Sequence, residues 1–220
     1  MAPETGETLS NEAQLALAYT APNLRNPLRI FFDLDARLGR IVAGTNEAML
    51  GQMRLTWWRD MLRSDPAQRP RGDLVLDGIG QHWRGAEGSL IKLVDGWEYM
   101  LADRFDAAAA RHFAENRAQP AIGLAHMIGV EETHAEKLAE KLTIWALADA
   151  AVNISDDIER EALLGLAREM NGRAPRFPRP LRGLDVLVAL ARRSVDRGGR
   201  PLLEGRGAAL TAMRAAILGR

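Results

Sequence analysis

Apolar positions recur along most of this chain at helical spacing. In residues 50–63, Leu50, Met53, Leu55, Trp57, Trp58, Met61 and Leu62 fill an arc of roughly 200° when wound at 100° per residue. Gln52, Thr56, Arg59, Asp60 and Arg63 take the other side. Just upstream, Leu28, Phe31, Phe32, Leu34, Leu38, Ile41 and Val42 form a similar arc opposite Arg29, Asp33, Arg37 and Arg40. Asn26-Pro27 reads as the start of this first helix, which runs to about Gly44. Thr45 or Asn46 then caps the second, and Ser64-Asp65-Pro66 ends it.

Residues 64–73 form a polar loop, and the same periodicity predicts helices over 74–84, 88–104, 106–117, 120–128, 132–149, 151–170 and 181–195. Gly129 and Gly172 read as C-terminal stops. NGRAPRFPRP (171–180) is too rich in proline for a helix and reads as a loop. A flexible DRGGRP (196–201) precedes a basic amphipathic tail helix over 207–219. No strand alternation and no internal repeat is present. The expectation is one all-α domain, an antiparallel helical bundle, with residues 1–12 a polar tail and 196–220 a linker plus tail helix.

Composition narrows the function. The 220 residues are 47% apolar and carry 29 basic and 29 acidic side chains, which argues against disorder and against nucleic-acid binding. Without cysteine there are no disulfides, thiol nucleophiles or thiolate metal sites. His82, His112, His126 and His134 lack metal-ligand spacing. The polar start MAPETGETLS has no apolar signal core, and no stretch approaches the ~20 apolar residues of a membrane span. A cytoplasmic protein is expected, with peripheral membrane contact through the basic tail as an addition.

Two charges break the pattern. Arg54 falls near the middle of its apolar arc, and Asp35 falls inside the arc of the preceding helix. A buried lone carboxylate or guanidinium costs several kcal/mol, so each needs a partner or a ligand. Three readings stand: an Asp35–Arg54 pair fixing the register of the two helices, Arg54 meeting a diphosphate or other anion in a cavity, for which its planar fork is suited, or a helix boundary placed differently from the one the spacing predicts. Trp83, Trp97 and Trp145 are read as core or as lining of such a cavity.

Five stretches then resemble the squalene/phytoene synthase family: LRNPLRIFFDLDARLGRIV (24–42), EAMLGQMRLTWWRDML (47–62), LIKLVDGWEYML (90–101), FAENRAQPAIGLAHMIGV (113–130) and RFPRPLRGLDVLVALARRS (176–194). The resemblance implies an isoprenoid-synthase bundle around an apolar cavity, in which two acidic clusters on facing helices hold Mg²⁺ and grip the diphosphate of a prenyl substrate. The acids themselves depart from the pattern. Arg37, Leu38 and Ile41 stand where the first cluster expects carboxylates, and Met100 where an acid should precede Leu101.

NISDDIERE (153–161) resembles the second cluster and leaves Asn153, Asp157 and Glu161 at i, i+4 and i+8, with Asp156 and Arg160 altered. Asp157 and Glu161 are the candidate metal ligands; Arg37, Arg40, Arg54 and Asn153 are the candidate anion-binding residues. The degenerate first motif and the Met-Arg-Leu-x-Trp-Trp segment resemble a branch of the family that serves as assembly factors for respiratory complex I at the membrane. The resemblance thus implies an accessory protein that binds an isoprenoid, another lipid or a protein partner. The first alternative is an active prenyl transferase with a diphosphate site rebuilt from Asn153, Asp157, Glu161 and nearby arginines, with Mg²⁺ as its cofactor. The second is a purely structural interaction protein with a filled cavity.

Overall fold

The computed structural model describes residues 8–45, 47–102, 105–170 and 175–218, and among these every regular element is helical. Ser10 caps α1 (Asn11–Ala18) by accepting from the Ala13 N–H. This helix begins inside the stretch expected to be a polar tail. Next, α2 (Pro22–Ala43) starts a full turn before Asn26-Pro27, with Pro22 in its first turn and Pro27 in its interior. Pro27 is tolerated there because it stands at the sixth helical position and costs a single bond near the N-terminus.

α3 (Ala48–Arg63) follows a short turn and has Glu47 at its N-cap. Thr45 instead closes α2 through its hydroxyl on the Ile41 carbonyl, and Asn46 lies outside the described residues. α4 (Leu74–His82), α5 (Glu87–Glu98), α6 (Ala107–Ala118) and α7 (Pro120–His126) match the expected segments to within a few residues, apart from a 3₁₀ turn that replaces the end of the fifth at Tyr99–Leu101. Gly129 does stop α7 with a left-handed φ of 75°; Gly172 lies outside the described residues.

α8 (Glu132–Asn153) is the central helix. From Lys141 to Ala148 every residue is buried, so this stretch is covered on all sides. The chain then breaks at Ile154–Asp156, and Asp156 caps α9 (Asp157–Glu169) by accepting from the Ile158 and Glu159 N–H groups. α10 (Arg182–Asp196) packs on α8 and α1, and α11 (Gly207–Leu218) packs on α10. The buried apolar residues form one contiguous cluster from Leu9 to Ala216.

Two polar anchors hold this frame. Lys141 on α8 donates to Asp185 on α10 and to the Pro175 carbonyl at 3.0 Å, while the Phe177 N–H reaches Asp185 at 3.3 Å. The described part of the proline-rich loop is thereby pinned, with Phe177 buried. On the other side, Arg59 of α3 donates to Asp95 at 2.8 Å and to Glu98, clamping α3 to α5.

Close helix crossings depend on glycine. A Cβ on Gly183 of α10 would lie 1.9 Å from the Ala16 carbonyl oxygen of α1. Gly165 of α9, in contrast, has nothing within 4 Å of its would-be Cβ. Gly183→Ala is expected to destabilise the protein by about 1–3 kcal/mol or more through overpacking. Gly165→Ala should stabilise it by about 0.5–1 kcal/mol through chain entropy and helix propensity. Urea unfolding of both variants measures the two opposite signs.

Candidate functional site

The inward charge of α2 has its partner on a different helix from the one expected. Asp35 is 6% exposed and accepts two bonds from Arg117 of α6, Nε to Oδ1 at 2.9 Å and Nη2 to Oδ2 at 2.7 Å. This is the bidentate fork geometry of a strong guanidinium–carboxylate pair. The Trp97 indole N–H donates to the same Asp35 Oδ1 at 2.8 Å. Arg117 Nη2 also lies 2.7 Å from Asp149 Oδ2 on α8. One guanidinium therefore links carboxylates from two helices, α2 and α8.

Aromatic faces complete the surroundings. The Arg117 guanidinium carbon lies 4.4 Å from the Trp145 ring centre, 5.1 Å from Trp97 and 5.6 Å from Phe113. Gly96 makes this possible: a Cβ there would sit 3.0 Å from Cβ of Asn116 and 3.1 Å from the Phe113 carbonyl, so α5 and α6 approach as only glycine permits. Burial by itself lowers the pKa of Arg117. The charges of Asp35 and Asp149 and their hydrogen bonds outweigh it, and the pKa is raised above the ordinary arginine value. The group is a permanent cation.

A cavity of about 160 Å³ opens beside this cluster, lined by Phe32, Asp35, Ala36, Gly39, Trp97, Arg117, Trp145, Asp149 and Leu187, with Leu9, Ser10 and Ala13 from the α1 end. Trp97 and Trp145 thus line it, whereas Trp83 is fully buried elsewhere and donates to the Pro27 carbonyl at 3.0 Å.

The expected Asp35–Arg54 pair is corrected. Arg54 is exposed. The buried face of α3 is the narrow stripe Gly51, Leu55, Trp58 and Leu62, and α3 packs chiefly on α5 rather than α2. The other part of the apolar arc, Leu50, Met53 and Trp57, faces solvent together with Arg54, as does the neighbouring Met49. The arc read from the sequence was much wider than the contact.

The other candidates also lie apart from the cavity. Arg37 bonds Asp73, the N-cap of α4, at 3.1 Å, and Arg40 is exposed. Asn153, Asp157 and Glu161 do not share a helix face, because the break at Ile154–Asp156 separates the first from the other two. All three are exposed: Asn153 bonds the Asp149 carbonyl at 2.8 Å, Asp157 pairs with Arg160 at 2.6 Å and Glu161 with Arg168 at 2.7 Å. Among the described residues no three His, Asp or Glu side chains converge as a metal-holding group.

Arg117 and Asp149 were missed. Each had a signal: a charge set among the buried alanines Ala114, Ala118, Ala148 and Ala150.

Arg117→Met leaves Asp35 buried and uncompensated, and is expected to cost about 3–5 kcal/mol in urea unfolding. Combining it with Asp35→Leu should recover most of that loss, since an apolar pair of similar volume replaces both charges. Recovery of less than half would show that the aromatic stacking, not the ion pair, dominates.

No family model, characterised protein or solved structure matches the chain.

Proposed function

We propose that this chain is a squalene/phytoene-synthase-like bundle of the isoprenoid-synthase type that has given up Mg²⁺-dependent head-to-head prenyl transfer and acts as an accessory protein. Its working contacts are with an isoprenoid or other lipid, or with a protein partner, in the cytoplasm and at the membrane periphery. The observation that carries this reading is the placement of Arg117 between Asp35 and Asp149. In a two-cluster synthase the acids of facing helices hold metal, which holds diphosphate. Here the facing acids of α2 and α8 are taken up by an internal cation.

These residues do not suit Mg²⁺. Both Asp35 oxygens accept from Arg117 and one also accepts from Trp97, and Asp149 shares the same guanidinium. A divalent ion would have to displace a bidentate pair and then sit beside a buried positive charge. The cavity volume points the same way, since about 160 Å³ is below the roughly 300–1,000 Å³ of ordinary small-molecule sites and leaves no room for two prenyl chains. The accessory role itself follows the resemblance to the complex I assembly-factor branch.

The test is incubation of the purified protein with farnesyl or geranylgeranyl diphosphate and Mg²⁺, scoring diphosphate release and thermal shift. No release is expected. A rise in Tm without release assigns lipid binding, and neither response assigns a role through a protein partner. Mg²⁺-dependent release of diphosphate overturns the proposal and restores an active transferase.

A further inference from the structure

The charges of this neutral chain are unevenly divided. Residues 182–220 carry eight arginines and three acids, so the remaining residues hold a matching excess of acids. α11 itself contains no acid. It seats on the bundle through small residues, Ala208, Ala212, Ala215 and Ala216, and Arg182 ties it down by donating to the Ala216 carbonyl at 2.8 Å. Its large apolar side chains point the other way. Leu210 is 56% exposed, Met213 46% and Ile217 63%, a row at i, i+3 and i+7 along the outer face. Arg206 and Arg214, both exposed, flank that row.

Beside it, between α10 and α11, a groove is lined by the cations Lys141, Arg192, Arg193 and Arg197 and by the two acids Asp185 and Asp196, of which Asp185 is taken up by Lys141. The Nη1 of Arg193 is buried there without a hydrogen-bond acceptor among the described residues. An anion reaching this groove would supply one.

We infer that the α10–α11 face docks on an anionic phospholipid surface, with Leu210, Met213 and Ile217 entering the headgroup boundary and the flanking arginines meeting lipid phosphates. Charge complementarity selects this occupant. A helix with an apolar outer row, basic flanks and no acid suits the interface of an anionic bilayer, where apolar burial and arginine–phosphate attraction add. No helix of the described residues is long and apolar enough to cross the membrane, so the contact is with its surface. This inference does not depend on the cavity or on the loss of prenyl transfer.

The experiment is co-sedimentation of the full chain with phosphatidylcholine vesicles and with mixed phosphatidylcholine–phosphatidylglycerol vesicles, at low and high salt. Binding to the mixed vesicles, weakened by salt and absent on the neutral ones, is expected. Combined Leu210→Gln, Met213→Gln and Ile217→Gln should abolish it. Combined Arg206→Gln and Arg214→Gln should weaken it roughly tenfold or more. All five positions are exposed, so unchanged circular dichroism and Tm should confirm that both variants fold. Three results overturn the inference: no sedimentation with anionic vesicles, sedimentation indifferent to both variants, or a dimer in solution that the triple variant dissociates, which would make the face a self-association surface.

Discussion

The arrangement of the interior turns on one buried cation. Arg117 is fixed on α6, yet its guanidinium reaches Asp35 on α2 and Asp149 on α8, with Trp97 of α5 completing the hydrogen-bond set. Four helices thus share one electrostatic centre. An ion of this kind is expensive to bury, and it is tolerated only because both carboxylates and three aromatic faces replace the water it loses. Apolar packing would let these helices slide or rotate at modest cost, whereas separating a bidentate pair would not. The centre therefore selects one packing of the bundle even where it adds little net stability.

The surrounding fold serves that centre. Gly96 brings α5 against α6 closely enough for Trp97 and Phe113 to stack edge-on at 5.3 Å beside the guanidinium. Gly183 lets α1 lie against α10, and the α1 end then walls the cavity with Leu9, Ser10 and Ala13. Phe31 and Phe32 meet Trp145 at 6.0 and 6.2 Å, fixing the indole that covers the cation. The Lys141–Asp185 pair repeats the logic about two turns earlier along α8, where it holds α10 and the loop at Phe177.

Periodicity made the helices readable, because each buries one face and 3.6-residue spacing records that face directly. It failed where the spacing was silent. The break at Ile154–Asp156 interrupts an otherwise helical run, and its signal was the N-cap acid Asp156, which stood inside a stretch that resembled a metal motif. Asp35 was legible as a charge facing inward, but its partner stands 82 residues away, and helical spacing carries no information on which distant helix arrives. Arg54 shows the converse error: an apolar arc marks residues that avoid water, not those that meet the bundle. In α3 part of that arc is exposed.

The difference between a metal clamp and a guanidinium clamp bears on what such a bundle can do. A divalent ion held by facing acids is exchangeable and open to phosphate oxygens, so the same carboxylates can grip and release a substrate each cycle. A guanidinium tethered to α6 has its donors committed to Asp35 and Asp149 and stays protonated at any working pH. On the proposed reading it holds helices rather than substrates, and the centre has moved from chemistry to architecture. What is left for function then lies on the outside, where the acidic body and the arginine-rich α10–α11 face give the molecule a direction that its neutral total charge conceals.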